Sequence, residues 1–327
     1  MQEEIRRAKK RFGLAESAPV LSCYEAGRDG FWLHRYLLSV GLENLVVDSA
    51  SIEVNRRAKR AKTDRIDVGK LLRMLIRYDS GEQKVWSIVR VPSVQAEDKR
   101  HLHRQLLALK GERNRHINRL KGLLVGQGER LSVGADFLKK LDQVRLWDGT
   151  KIPAGLRIRL EREYACLEFV QQQLKELETE RVELLRTSQE PSVKQVQQLL
   201  RLRGIGVKSA WLFVMEFFSW REFHNRREVG RLAGLAPTPY QSGDESREQG
   251  IDKAGNSLVR TMAVEIAWAW LRYQPESALS QWYQERFGHG GKRLRKIGIV
   301  ALARKLLIAL WRYLETGEIP AGAQLKA

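Results

Sequence analysis

The sequence predicts an α/β amino-terminal domain followed by coiled-coil helices and a mainly α carboxy-terminal domain. Short apolar runs alternate with helical stretches at the start of the chain, and leucines recur at helical spacing in the middle. The last third opens on a glycine turn and closes with long helices. These patterns divide the chain into residues 1–95, 96–190 and 191–327.

The first region contains few strands. "PVLSCYE" and "NLVVDS" are typical strands, "DGFWLHRYLLSVG" between them is typical of a helix, and "KVWSIVRV" is a weaker third strand. A central sheet usually has about four to six strands. We therefore predict an incomplete sheet in this domain.

The middle region carries apolar stripes on two helices. Leu102, Leu106, Leu109, Ile117, Leu120 and Leu124 form one stripe, and Leu160, Leu167, Val170, Leu174, Leu177 and Leu184 follow steps of three and four residues. A coiled-coil arm that closes on itself or on a second protomer explains both stripes. Ordinary bundle helices explain them equally well.

The third region pairs firm helices with polar connections. We predict long helices at Asn256 to Tyr273 and at Leu294 to Leu314, with Asn256 as the N-cap of the first. "GLAPTPYQSGDESREQGIDKAGN" and "FGHGGKRLRK" are predicted loops, and long polar loops between helices often carry chemistry.

The charge favours a polyanionic partner. There are 58 Lys and Arg against 39 Asp and Glu, a net charge of +19, which favours DNA or RNA over an acidic membrane surface.

Two cysteines exclude a disulfide framework and a metal knuckle, and favour the reducing cytoplasm. The charged start "MQEEIRRAKKRFG" is not a signal peptide, and Arg304 and Lys305 interrupt the longest apolar run, so we expect no membrane span.

A pair of aspartates lies within the most basic stretch of the chain. Asp64 and Asp67 share a face if their segment is helical, and Mg²⁺ is commonly held by one or two carboxylates plus substrate phosphates. Basic neighbours that could hold a phosphate backbone include Arg60, Lys62 and Arg65. A solvated, salt-bridged helix face is the simpler interpretation of the pair alone.

Glu25 adds a third carboxylate. It ends a predicted strand, where α/β sheets usually place their sites, although a strand-end surface glutamate is the alternative. A glutamate at a strand end followed by an aspartate pair on a later helix is the arrangement of RNase H-like phosphoryl-transfer folds. We therefore predict a metal site formed by these three side chains.

Two further motifs suggest nucleic-acid chemistry. "RGIGVKSA" is typical of a helix-hairpin-helix turn, in which Gly204 and Gly206 expose backbone N–H groups to a phosphate and Lys208 adds charge. A plain glycine turn is the alternative. Ser242 lies in "PTPYQSGDES"; such a serine is usually a turn former, no histidine is nearby in sequence, and Ser246 is an equally free hydroxyl.

Taken together, these motifs resemble one family. "CYEAG", "AKTDRIDVGKL", a long helical segment, "LRGIGVKSA", "AGLAPTPYQSG" and "DKAGNSLVR" follow the order found in DEDD transposases of the IS110 type, the insertion-sequence recombinases that use a bridge RNA. The resemblance implies an RNase H-like domain similar to Holliday-junction resolvases, a coiled-coil insertion and a carboxy-terminal transposase domain.

The resemblance also implies roles for individual residues. Glu25 matches the family's catalytic glutamate, Asp64 and Asp67 its last two aspartates, and Ser242, in a "Y-x-S-G" element, the serine that attacks DNA. Mg²⁺ is the implied cofactor, and DNA, a guide RNA and further copies of the chain are the implied partners. Lys253, in "DKAGNSLVR", joins the predicted nucleic-acid-binding residues.

The family's first aspartate has no counterpart upstream of Glu25. Glu3, Glu4 and Glu16 lie in a charged, helical segment and are poor substitutes. Either the start is assigned too late or the copy is truncated, and we expect weak magnesium binding from the chain as written. The leading prediction is a transposase; a catalytically inactive nucleic-acid-binding remnant and a structure-selective nuclease are the alternatives.

Overall fold

The computed structural model describes residues 1–27, 30–53, 64–242 and 245–326. It divides the chain into two compact units, Met1–Pro92 and Ser93–Ala327. The described residues are mainly helical with few strands, which is compatible with the predicted α/β class. None of the described helices combines the length and apolar content that crossing a membrane requires.

The first unit is built around two parallel strands. Its elements are helix α1 Gln2–Arg11, strand β1 Leu21–Glu25, helix α2 Trp32–Ser39, strand β2 Glu43–Val47 and helix α3 Asp64–Asp79. Glu25 pairs with Val47, so β1 and β2 end side by side. A parallel pair needs a crossover connection, and α2 provides it.

The predicted third strand is wrong. Ile88 makes only an isolated antiparallel bridge with Val47, although the N–H of Val89 donates to the carbonyl of Val46 at 2.8 Å. Val85 and Trp86 instead enter the core beneath α3, where they pack with Met74 and other buried side chains. Packing of these two residues therefore takes precedence over extension of the sheet.

The second unit begins with a helical hairpin. After the short helix α4 (Val94–Asp98), helix α5 His101–Val125 packs against helix α7 Ala154–Thr187, and helix α6 Phe137–Gln143 lies between them in the chain. Lys110 pairs with Glu178 and His116 with Glu163, so the two helices run antiparallel. Both predicted stripes contribute buried residues to this pairing, with Leu106 against Leu174 and Leu120 in a cluster with Leu160. The two helices thus pair within one chain.

The rest of the second unit is a helical core with one β-hairpin. Its elements are helices α8 Pro191–Leu200, α9 Val207–Phe213 and α10 Arg226–Leu232, strands β3 Pro237–Ser242 and β4 Glu245–Ile251, and helices α11 Ser257–Tyr273, α12 Ala278–Tyr283 and α13 Lys292–Thr316. Helices α9 and α12 each continue into a π-helical segment, Val214–Phe218 and Gln284–Gly288.

Helix α11 confirms its predicted N-cap. The side-chain oxygen of Asn256 accepts hydrogen bonds from the N–H groups of Leu258 at 3.0 Å and Val259 at 3.2 Å. These bonds satisfy donors that have no partner within the helix. Helix α13 also matches its prediction and extends about half a turn further at each end.

The predicted loop around Ser242 is instead a β-hairpin. Strands β3 and β4 are antiparallel, and Ser242 is paired with Glu245 across residues 243 and 244. A two-residue connection containing glycine is a hairpin signal, and the prolines Pro237 and Pro239 are tolerated because proline is compatible with an edge strand. The polar composition of the segment had concealed this pattern.

Candidate catalytic site and nucleic-acid interface

The predicted metal ligands lie at the ends of elements in the first unit. Glu25 is the last residue of β1 and is exposed, while Asp67 lies in the first turn of α3 and is half-buried. Helix α3 packs against β1, which supports both residues on one small core. Asp64 begins α3, but its side chain lies outside the described part of the structure.

The donor set fits magnesium in its chemistry. Exposed carboxylates leave room for the waters and substrate phosphates that Mg²⁺ retains. The described side chains contain no group of three or more His, Cys, Asp or Glu that could share a metal ion. The Asp64 carboxylate lies outside these described side chains. Arg65 is exposed on α3, while the predicted contacts Arg60 and Lys62 lie outside the described residues.

The base of the β3–β4 hairpin is tightly held. The N–H of Asp252 donates to the carbonyl of Ala236 at 3.0 Å, and the N–H of Asn256 donates to the carbonyl of Leu232 at 2.9 Å. These bonds join the segment before β3 to the segment after β4. Ser242 is the last residue of β3, so this base anchors the strand that carries it; its side chain lies outside the described part.

Two glycines allow the chain segments at this base to meet. Gly234 has φ +67° and Gly255 has φ +154°, both in a region that favours glycine. A Cβ atom added to Gly255 would lie 2.5 Å from the carbonyl oxygen of Leu232 and 2.6 Å from the nitrogen of Gly234. No side chain fits there without moving the backbone. Gly234 of the "AGLAPTPYQSG" motif and Gly255 of the "DKAGN" motif therefore have a packing role.

Lys253 lies in the turn between β4 and α11. It is exposed, and its backbone is left-handed with φ +57°, which costs a non-glycine residue about 1 kcal/mol. Its carbonyl accepts a hydrogen bond from Arg260 Nη1 at 2.9 Å, and the Asp252 carboxylate accepts one from the N–H of Ala254 at 3.2 Å. These bonds stabilise the strained turn. The nucleic-acid contact assigned to Lys253 stays a prediction.

A buried carboxylate lies at the centre of the second unit. Glu216, in the π-helical segment, is fully buried and accepts hydrogen bonds from His103 Nε2 at 2.7 Å and Arg104 Nε at 2.6 Å. Arg104 Nη2 also donates to its second oxygen at 3.0 Å, and Asn256 Nδ2 lies 3.5 Å from that same oxygen. Three parts of the chain thereby converge on one charge: the first turn of α5, the π segment, and the N-cap of α11 at the hairpin base.

This environment keeps Glu216 ionised. Burial alone would raise the pKa of its carboxyl group, but the hydrogen bonds from His103 and Arg104 outweigh burial and lower the pKa to about 2. The same pairing raises the pKa of Arg104. We therefore expect a charged carboxylate in the core at neutral pH.

Sequence reasoning missed this network. Glu216 stands alone within the apolar run "LFVMEFF", and a single carboxylate in such a run indicates a buried charge that needs partners. The partners are 112 and 113 residues away in the chain, which no local pattern reveals.

A glycine turn joins α8 and α9, and its assignment as a helix-hairpin-helix stays a prediction. Gly204 has φ +85°, and a Cβ atom there would lie 3.4 Å from the Cβ of Tyr273 on α11. The N–H of Gly206 donates to Ser209 Oγ at 3.1 Å, so that group already has a partner. Lys208 is exposed and lies 3.9 Å from Glu265 Oε2. Phosphate binding by Gly204, Gly206 and Lys208 stays a prediction.

A basic cavity of about 980 Å³ opens beside the hairpin base. Its walls come from α10, from the ends of β3 and β4, and from α13. The sequence predicted a long helix at Leu294 to Leu314 and placed the run "KRLRK" in the loop before it. The charged face of α13 is a second feature that sequence reasoning missed.

Comparisons with known proteins identify the family of this chain. The model of the transposase IS116/IS110/IS902 family matches residues 196–283, which include α9 to α12 and the hairpin. The chain is 43% identical over 331 residues to y4rJ of Sinorhizobium fredii, a protein named as a transposase, covering 98% of this chain and 83% of that protein.

Two further relatives are more distant. The chain is 30% identical to y4qE of the same organism, also named as a transposase, over 86% of this chain and 65% of that protein. It is 27% identical to the transposase for insertion sequence element IS1328 of Yersinia enterocolitica, over 64% of this chain and 60% of that protein. The protein is thus a transposase of an insertion sequence, and it belongs to the IS116/IS110/IS902 family.

Removing the charge of Glu216 should destabilise the second unit. We expect Glu216→Gln to lower the free energy of unfolding by about 3 kcal/mol at pH 7, because Arg104 and His103 lose a buried ionic partner. Glu265→Gln is the control, since Glu265 is exposed and 3.9 Å from Lys208 and should cost well under about 1 kcal/mol. Urea denaturation followed by tryptophan fluorescence measures both.

The same pair of proteins has a defined pH dependence. The pKa of Glu216 is depressed from 4.5 to about 2 in the folded protein. Its ionised form therefore stabilises the fold above about pH 4.5, and this stabilisation is lost as the pH falls towards 2. The difference in the free energy of unfolding between the parent and Glu216→Gln should narrow on acidification over that window. A difference that stays constant or widens would contradict the assignment.

Gly255→Ala tests the hairpin base. Gly250→Ala is its control, because Gly250 also has a positive φ of +105° but a Cβ atom there meets nothing within 4 Å. Both changes carry backbone strain, and only the first adds a clash, so Gly255→Ala should cost at least about 2 kcal/mol more. Urea denaturation measures the cost, and hydrogen exchange of the Asp252 and Asn256 amides locates it. Equal costs would show that the close approach has no energetic role.

Proposed function

We propose that this transposase cuts and rejoins DNA phosphodiesters with Ser242 as the nucleophile. The observation that carries the proposal is the position of Ser242 at the end of β3, on a hairpin whose base is clamped by backbone hydrogen bonds and by Gly255. A nucleophile acts efficiently when a rigid support holds it at the reacting distance. The residues matched by the family model include this hairpin.

The chemistry is a pair of exchanges at phosphorus. The Ser242 Oγ attacks a DNA phosphate and forms a new P–O bond as the bond to one deoxyribose oxygen breaks. The serine proton passes to a base or to water, and the departing oxygen takes up a proton. A DNA hydroxyl from the new partner strand then attacks the serine-linked phosphate, which restores the serine and re-forms a phosphodiester. No oxidant and no nucleotide is consumed.

Glu25, Asp64 and Asp67 are the proposed magnesium ligands. Their carboxylates are the donor type that Mg²⁺ takes, and the exposure of Glu25 leaves space for water and for a substrate phosphate. A bound Mg²⁺ offsets negative charge that develops on the phosphate oxygens. The contribution of the chain itself is to hold these carboxylates at the end of β1 and at the start of α3.

A guide RNA and a second copy of the chain are proposed as further partners. The net charge of +19 attracts polyanions, which supports nucleic-acid partners such as DNA and RNA. Two DNA ends must be brought together for strand exchange, which a pair of protomers can do.

Substitutions separate this function from its alternatives. We expect Ser242→Ala to abolish strand exchange on a DNA substrate that carries the element's ends, while DNA binding by gel shift is retained, because only the nucleophile is lost. Ser246→Ala, four residues along the same hairpin, is the matched control and should remain active. Asp67→Asn should reduce exchange at least about 10²-fold by weakening charge stabilisation.

Two other results would point elsewhere. A Ser242→Ala protein that still cuts DNA, beside an Asp67→Asn protein that does not, would identify a nuclease that does not use the serine. If neither the parent nor either variant cuts or exchanges DNA, while all three bind DNA equally, the chain is a nucleic-acid-binding remnant.

A further inference from the structure

We infer that the basic cavity between α10, the hairpin base and α13 binds an unpaired nucleic-acid strand. Its cations would contact the phosphates, and its apolar floor would take the bases. This deepens the proposed function and rests on it only in assuming that the chain acts on nucleic acid. The cavity, of about 980 Å³, lies wholly within the second unit.

Helix α13 supplies the longest wall through one face. The residues of this helix that line the cavity recur at steps of three and one, which places them along a single stripe. The stripe carries the cations Arg293, Lys296, Arg304 and Lys305. The apolar residues Ile297, Val300 and Ala301 lie between the two pairs of cations, and Ile308 follows the second pair. Charge and apolar surface therefore alternate along one wall.

The opposite side adds cations and completes the floor. Arg226 and Arg227, in the first turn of α10, are exposed and line the cavity. Leu235, two residues before β3, and Ile251, the last residue of β4, supply apolar surface. The cavity thus adjoins the element that carries Ser242.

Among the residues that the structure describes, no carboxylate is paired with these cations. Within the ranges that the structure describes, none of the six named cations on α10 and α13 forms an ion pair within 4.0 Å of a carboxylate, although exposed charges elsewhere in the unit do so repeatedly. Like charges placed together without counter-charges destabilise a folded chain. A bound polyanion would remove that cost.

Two of the cations are held in position by packing. A Cβ atom on Gly230 would lie 2.8 Å from Arg304 Nε, so glycine at this place in α10 leaves room for the guanidinium. Lys305 Nζ lies 4.6 Å from the ring centre of Trp282, a cation–π contact. Positioned cations lose less entropy on binding than free ones, which favours a specific anion site over a solvated face.

The apolar floor favours an unpaired strand over a duplex. A duplex presents phosphates outside and stacked bases inside, so it would contact the cations and leave the floor uncovered. Bases of an unpaired strand are free to leave the stack and cover apolar and aromatic surface while the backbone follows a basic groove. Such a strand could come from RNA or from melted DNA, whose shared chemistry is the phosphodiester backbone with accessible bases.

Charge removal in the cavity gives the first test. Arg293→Gln/Lys296→Gln is compared with Lys194→Gln/Arg201→Gln, which removes the same charge from exposed positions outside the cavity in the same unit. Fluorescence anisotropy measures binding of a labelled 15-nucleotide single-stranded DNA, an RNA of the same sequence and the matching duplex. We expect the cavity variant to bind single strands about tenfold more weakly and the control to bind within about twofold of the parent, because each phosphate contact releases counter-ions.

The salt dependence gives a second readout of the same variants. Losing two phosphate contacts should reduce the slope of log affinity against log salt by about 1.4 for a single strand. A parent protein whose affinity is insensitive to salt, or a cavity variant whose slope equals that of the control, would overturn the proposal.

A substitution in the apolar part of the α13 wall distinguishes binding of a nucleic-acid strand from binding of other anions. Ile297 is 53% exposed, so Ile297→Glu and its neutral control Ile297→Gln should both fold. We expect Ile297→Glu to weaken single-strand binding at least about tenfold more than Ile297→Gln, by repelling the backbone, with a smaller effect on the duplex. Stronger binding of duplex than of single strands, or equal competition by poly-glutamate, would replace an unpaired strand with another occupant. A preference for RNA or for DNA among the single strands identifies the source.

Failure of this inference is distinguishable from failure of the proposed function. A cavity variant that binds and recombines like the parent, beside an inactive Ser242→Ala protein, rejects the cavity and keeps the serine. A cavity variant that loses single-strand binding, beside a Ser242→Ala protein that still recombines, supports strand binding in the cavity and rejects Ser242 as the nucleophile.

Discussion

The buried charge of Glu216 is the constraint on which the second unit depends. A carboxylate with no solvent exposure is costly unless hydrogen-bond donors surround it, and His103, Arg104 and Asn256 surround this one. Removing any of these donors leaves the charge less compensated. The pairing therefore requires that the start of α5, the π segment and the N-cap of α11 keep one relative arrangement.

That arrangement extends to the proposed catalytic loop through Asn256. Its side chain caps α11 and contacts Glu216, while its backbone N–H bonds to Leu232 at the hairpin base. Next to it, Gly255 permits the close approach that joins the two ends of the hairpin. One residue thus connects the buried charge, a core helix and the strand that ends at Ser242. Buried polar networks of this kind can specify a unique arrangement, which a nucleophile requires.

Much of the fold was predictable where the pattern is local. The two long helices of the last third, the Asn256 cap and both parallel strands follow from periodicity and capping chemistry, which depend on near neighbours in the chain. The β3–β4 hairpin was missed because its strands are polar, and the third strand was wrong because Val85 and Trp86 pack into a core instead of extending a sheet. The Glu216 network and the basic face of α13 join residues from separate elements. Such groupings depend on tertiary packing, which the sequence shows only as an isolated glutamate or as scattered cations.

The candidate site was predictable as a set of residue types, from Glu25, Asp64, Asp67 and Ser242, more than as an arrangement in space.

The central claim is that Ser242 joins covalently to DNA, and the most direct measurement is mass spectrometry of a quenched reaction. The protein is incubated with DNA that carries the element's ends, denatured, and digested with nuclease and trypsin. The account predicts a nucleotide attached to the peptide of residues 232–247 in the parent and in Ser246→Ala, and none in Ser242→Ala. An adduct that persists in Ser242→Ala, or that maps to another peptide, would contradict it.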